Sequence, residues 1–293
     1  MPEETLPQIH IPGVSDQSAT PLHTSVVHHV FIMDSSGSMR PLRAATIVGF
    51  NEQVQNIRQL EQTMPEQQNR VTLVFFNGRI TERLVNTSSD TLRELTEADY
   101  DPSGSTNLYG AIGRTLSKVK AELGSRIGTD RVIVTIQTDG ENTDTDDQWN
   151  QSKTKEFIEQ LQADHHWVVT FIGANIDVDH TSRSLGIPVS NAVSYSADLG
   201  GTRRMFQATS LARSAYLANT RGMGIGEASV SSFYSPDETR SLDLRGASAV
   251  SSSDSSALAG AVDLLHRIAV QRTAASGTAG APRPTVPPTP VQP

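Results

Sequence analysis

Short apolar runs alternate along this chain with stretches whose apolar positions recur at helical spacing. Residues 26–33 (VVHHVFIM) are the first run and read as a buried strand. Leu42, Ala45, Ile47, Phe50, Val54, Ile57 and Leu60 then share one broad helical face, with Pro41 in the first turn, where a proline is tolerated. Residues 71–76 (VTLVFF) make a second strand, and Asn77-Gly78 signals a hairpin whose antiparallel arm is residues 80–85. Leu108, Ile112, Leu116, Val119 and Leu123 predict a helix that begins near Thr106. Residues 132–136 are a further buried strand, followed by an acidic loop over 141–147 and a short helix carrying Phe157, Ile158 and Leu161. Residues 167–172 are the next strand. A helix over 177–185 stops at Gly186 with Pro188 just beyond, residues 191–195 form a last edge strand, and Met205, Ala208, Leu211, Ala212, Ala215 and Leu217 mark another helix.

Strands alternating with helices predict an α/β fold: a doubly wound, mostly parallel central sheet with one antiparallel edge strand and helices on both faces. This domain occupies residues 26–221. Residues 1–25, rich in Pro, Ser and Thr, read as an extended arm. Residues 222–256 read as a Ser/Gly-rich linker, 257–272 as a C-terminal helix with Leu258, Val262, Leu265 and Ile268 on one side, and 273–293 as a disordered Pro/Thr/Ala-rich tail able to adopt polyproline II.

Composition narrows the function. The net charge is −8 over 293 residues, which argues against a nucleic-acid partner. There is no cysteine, so disulfides, thiolate metal sites and cysteine nucleophiles are all excluded. The acidic, proline-broken start does not resemble a signal peptide, and no apolar run approaches the ~18 residues of a membrane span. The expectation is a soluble cytoplasmic protein that does not engage membranes.

The candidate chemistry lies in three loops. Asp34-Ser35-Ser36-Gly37-Ser38 follows the first strand and places three short hard-oxygen side chains two residues apart, a donor set suited to Mg²⁺, Ca²⁺ or Mn²⁺. Gly104-Ser105-Thr106-Asn107 leads into a helix, and Thr138-Asp139-Gly140 ends a central strand. Loops at the carboxyl ends of parallel strands gather on one edge, where open α/β sheets place their sites.

The set resembles the von Willebrand factor type A domain with a complete metal-ion-dependent adhesion site (MIDAS). That pattern is D-x-S-x-S, a distant T, then a D usually followed by G. Asp34, Ser36 and Ser38, then Thr106, then Asp139 with Gly140 match it without departure. The resemblance implies that the Ser36 and Ser38 hydroxyls ligate the ion directly and that Thr106 joins them in one of two conformations. Asp34 and Asp139 would act through coordinated waters and hold the seryl hydroxyls. It further implies an Mg²⁺ site, with Ca²⁺ or Mn²⁺ as alternatives, that binds an Asp or Glu of a partner protein. The module would then be a bacterial adaptor in a multiprotein assembly, such as an AAA+ ATPase system, and not an enzyme. The intracellular prokaryotic members are the nearest in pattern.

Plainer readings stand beside this one. Asp34 or Ser36 alone is a helix cap. The ion could serve only to stabilise the loops of a structural component. A strand-end Asp is also where phosphoryl-transfer nucleophiles sit, but that chemistry needs a nearby Lys, and Lys118, Lys120, Lys153 and Lys155 fall on helices or their flanks. A phosphohydrolase is therefore the weakest alternative. His28-His29 and His165-His166 read as ordinary strand-end residues, since neighbours in a strand point to opposite faces. The acidic loop over 141–147 reads as a solvated rim whose spacing does not fit an EF-hand.

Overall fold

The computed structural model describes residues 25–227 and 232–234. The chain divides into two units, 1–243 and 244–293, and every described residue lies in the first. The predicted arm, save Ser25, which opens the first strand, and the C-terminal helix, the tail and most of the linker lie outside the described residues.

Six of the ten residues of β1, Ser25–Asp34, are apolar, and the last eight are all buried. Its alternation assigns the two faces of the sheet. Val27, Phe31 and Met33 point into one core, Val30 and Ile32 into the other. A short 3-10 turn over Gly37–Leu42 holds Pro41 and leads into α1, Arg43–Thr63. Then come β2, Gln67–Phe76, and β3, Ile80–Ser88. After a long loop come α2, Leu108–Leu123, β4, Arg131–Thr138, and α3, Gln151–His165. The chain continues through β5, Val168–Gly173, α4, Val178–Ser184, β6, Ala192–Ser194, and α5, Leu199–Asn219.

The six strands stand in the order β3-β2-β1-β4-β5-β6. All neighbours are parallel except β2 and β3. This is the expected doubly wound sheet with one antiparallel edge strand. Helices α1 and α5 cover one face, with Phe50, Val54 and Ile57 against Phe31, Leu73 and Phe206. Helices α2, α3 and α4 cover the other, with Ile112, Leu116, Ile158 and Leu161 against Val132, Val134 and Val169. Strand order reverses between β1 and β4. The crevice at their carboxyl ends is thus the switch point where such sheets bind ligands.

Several details differ from the sequence reading. Helix α2 begins at Leu108, because Asn107 caps it by accepting from the Gly110 amide. The hairpin forms, but neither Asn77 nor Gly78 takes a left-handed conformation. Instead the Asn77 side chain accepts from the Arg79 amide at 2.8 Å, and the turn closes over three residues.

His28 and His29 are not strand-end residues. Both are buried within β1 on opposite faces, His28 against Asp130 at 2.9 Å and His29 against Asn69 at 3.0 Å. His165 closes α3, and His166 is its left-handed cap. Two residues of the predicted linker also belong to the core. Phe233 and Tyr234 are buried beside α5, where the Tyr234 hydroxyl meets Thr209 and the Phe233 amide donates to Asn191.

Candidate metal centre

β1 and β4 end side by side, and their last residues open the site. Asp34 is fully buried and held by both carboxylate oxygens. Oδ1 accepts from the Ser36 amide at 2.6 Å, and Oδ2 accepts from the Thr138 hydroxyl at 2.6 Å. The first contact turns the chain sharply after the strand. Ser36 is the residue that caps the 3-10 turn, but its side chain makes no cap bond, so its hydroxyl is directed elsewhere.

That hydroxyl lies 3.0 Å from the Ser38 hydroxyl, which donates to Asp139 Oδ1 at 2.6 Å. Ser38 has one hydroxyl proton and gives it to the carboxylate, so Ser36 is the donor in the seryl pair. Asp34, Ser36, Ser38 and Asp139 therefore form one connected cluster, with Thr138 holding Asp34 from the end of β4. A cluster of two carboxylates and two hydroxyls offers oxygen only. Among the described residues, no group of three or more His, Asp or Glu side chains gathers into a nitrogen-rich or all-carboxylate alternative.

Thr106 sits in the second loop, buried, with its backbone bound to the acidic loop. Its amide donates to the Thr143 hydroxyl at 3.0 Å, and its carbonyl accepts from the Thr143 amide at 2.9 Å. Among the described residues its hydroxyl has no bond to Ser36, Ser38 or Asp139. The second loop reaches the first through its backbone. Gly37 N donates to Gly104 O at 3.1 Å, and Ser103 N donates to Ser35 O at 2.8 Å. Gly104 has φ +78°, a conformation that a side chain would strain. All three loops are thereby tied to one another.

The electrostatics are uncompensated. Burial pushes the Asp34 carboxyl above the usual carboxylate range against the hydrogen bonds from Thr138 and Ser36, and the Asp139 charge adds to the rise. Burial likewise raises Asp139 against the Ser38 hydroxyl. No Lys or Arg among the described residues is paired with either carboxylate. Two desolvated carboxyls beside two hydroxyls are a donor set that a hard divalent cation fits.

Two residues of this centre have no place in the family pattern. Thr138 joins the first and third loops: its hydroxyl donates to Asp34 and accepts from the Gly140 amide at 3.2 Å. Its position directly before Asp139 was the available signal. Tyr100 donates its buried hydroxyl to the Asp34 carbonyl at 2.5 Å. Burial, with the Asp34 charge beside it, holds that hydroxyl protonated well above its ordinary range. A lone aromatic in a polar loop was its only mark in the sequence. The acidic loop is partly pinned: Asp144 accepts from Ser105 and Asp146 pairs with Arg114, so it is more ordered than a solvated rim.

The family model for the von Willebrand factor type A domain matches residues 30–208, more than half of the chain. No curated protein matches. Similar solved structures include proximal thread matrix protein 1 from the mussel byssus with a zinc-occupied MIDAS motif, at 13% identity and TM-score 0.44, covering 63% of this chain and 44% of that one. The ArnB paralog VWA2 from Sulfolobus acidocaldarius shares 17% identity at TM-score 0.42, covering 64% and 45%. A von Willebrand factor type A protein from Catenulispora acidiphila shares 14% at TM-score 0.43, covering 64% and 42%. This chain thus spans less than half the length of each.

Proposed function

The chain belongs to the von Willebrand factor type A family, and from that premise we propose that it is a divalent-metal-dependent protein-interaction module. One observation carries the reading. Asp34 and Asp139 are buried carboxylates with no cationic partner among the described residues, and they converge on the Ser36 and Ser38 hydroxyls. Ser36 and Ser38 would hold the ion, Thr106 would add a third hydroxyl, and Asp34 and Asp139 would orient those hydroxyls. A hard ion such as Mg²⁺, or in its place Ca²⁺ or Mn²⁺, would keep much of its charge among neutral ligands and so attract an outside carboxylate. The partner is therefore a protein presenting Asp or Glu.

We read the site as binding, not catalytic. The chain's lysines support this: Lys118 is engaged with Glu82, Lys120 lies over the Phe157 ring, Lys153 meets the Gln148 carbonyl and Lys155 meets Glu159, all on α2 or α3. No helix among the described residues is long and apolar enough to cross a membrane. A cytoplasmic role as an adaptor in an AAA+ type assembly is part of the proposal and rests on family analogy alone.

Thermal unfolding in Mg²⁺ against EDTA tests the reading, for the wild type and for Asp34→Ala. An ion that binds only the folded state adds about 2.7 kcal/mol at one hundred times its Kd. The wild type should melt higher in Mg²⁺ and Asp34→Ala should not respond. No response from either at millimolar metal would favour a structural role for the loops.

A further inference from the structure

The Asp34–Ser35 peptide group is gripped at both ends. Its N–H donates to the Phe76 carbonyl at 2.7 Å, and its carbonyl accepts from the Tyr100 hydroxyl at 2.5 Å. The sheet does not continue there on the β4 side, where the pairing of β1 ends one residue earlier, at Met33 and Gln137. The tyrosine hydroxyl thus supplies a bond at the point where the strand stops being a strand. All that the first loop gives to the site follows within four residues: the Ser36 amide folding back on Asp34, and the Ser36 and Ser38 hydroxyls.

Tyr100 is itself held fast. The residue is 1% exposed and its ring lies tilted on Phe75 at 5.0 Å. Its own carbonyl accepts from Arg43 Nε at 2.9 Å, and the same arginine also bonds the Glu97 carbonyl. The start of α1 therefore fixes the second loop, and that loop fixes the orientation of the first. Removing the hydroxyl leaves the Asp34 carbonyl a buried acceptor without this partner and frees the peptide to rotate.

We propose that Tyr100 is a positioning residue for the metal centre, its hydroxyl setting the affinity for a divalent ion by fixing the Asp34–Ser35 peptide. This rests on the metal-binding reading above. Groups that orient metal ligands typically change affinity by about 10- to 100-fold when removed, and that is the loss expected of Tyr100→Phe, which keeps the ring and its packing.

The test is Mn²⁺ affinity of the full chain, followed by the loss of the free-ion electron paramagnetic signal, at a temperature where circular dichroism shows each variant folded. Val169→Ala is the comparison. It removes core volume from the face of the sheet opposite Tyr100 and lowers stability without touching the site. The expected result is a Kd about 10- to 100-fold weaker for Tyr100→Phe and unchanged for Val169→Ala. Equal affinity of Tyr100→Phe and wild type, whatever the melting temperatures, would overturn the inference, as would equal weakening of both variants. Failure of the wild type to bind Mn²⁺ would instead overturn the metal-binding reading itself, a separate result.

Discussion

Asp34 is held as a carboxylate by two donors yet sits where burial disfavours its charge. An amide in its place keeps much of the arrangement. Asn can accept from the Ser36 amide, and the Thr138 hydroxyl can turn its proton to the Gly140 carbonyl, already 2.9 Å away. Asp34→Asn should therefore melt in EDTA at the wild-type temperature or above and lose the metal-dependent rise; a large fall in EDTA would mean that the charge stabilises the fold without a metal. His29 gives a second test. Burial, aided by Arg213, depresses it to about 3, against ~6.5 when exposed. Between these values the unfolded chain takes up the proton and the folded chain does not, so stability falls as pH drops from ~6.5 toward 3, at up to about 1.4 kcal/mol per pH unit for this one group. His29→Gln should flatten that part of the urea-denaturation profile against pH, and an unaltered slope would contradict it. At this scale Asp34, Ser36, Ser38, Thr106 and Asp139 stood out because family pattern and loop position agreed. Thr138 entered only as the neighbour of Asp139, and Tyr100 did not stand out, since each acts on Asp34 from a remote stretch of chain and no local spacing encodes that contact.

Helix α5 lies on α1 through a seam of close contacts, and these depend on Gly49. A methyl group there would fall within 2.5 Å of the Phe206 ring at several atoms. Gln53 holds the same seam by donating to the Phe206 carbonyl and to Ser210, both at 2.7 Å. Gly49→Ala should cost about 1–3 kcal/mol by overpacking, measured by chemical denaturation, and no loss would mean that the helices separate freely. Phe233 and Tyr234 pack beside α5, and Phe233→Ala should cost about 3–5 kcal/mol. A change within a few tenths would show that the segment contributes no core packing. The helices and strands themselves were legible from periodicity, down to the antiparallel edge strand. The Phe-Tyr pair was hidden because Ser and Gly surround it and a two-residue anchor has no period. The hairpin was legible by its Asn-Gly pair, although the Asn77 side chain, not a left-handed turn, makes it.

For the molecule as a whole, topology does what no single motif can. Placing β1 beside β4 brings Asp34 and Thr138 into contact across 104 residues of sequence and puts Asp139 within reach of Ser38. The net charge of −8 is a property of the whole chain, and a cation at the switch point adds favourably to it. The fold class was readable from the alternation of strands and helices. That the three loops gather on one edge followed from it, but the backbone bonds that tie them, such as Gly37 to Gly104, carry no side-chain signature and were not legible. The most direct test of the central claim is anomalous diffraction from a crystal of the full chain grown with Mn²⁺. One anomalous peak bounded by the Ser36 and Ser38 hydroxyls, with Asp34 and Asp139 behind them, is the predicted result. A peak confined to the acidic loop over 141–147, or none while Ser38 stays bonded to Asp139, would contradict it.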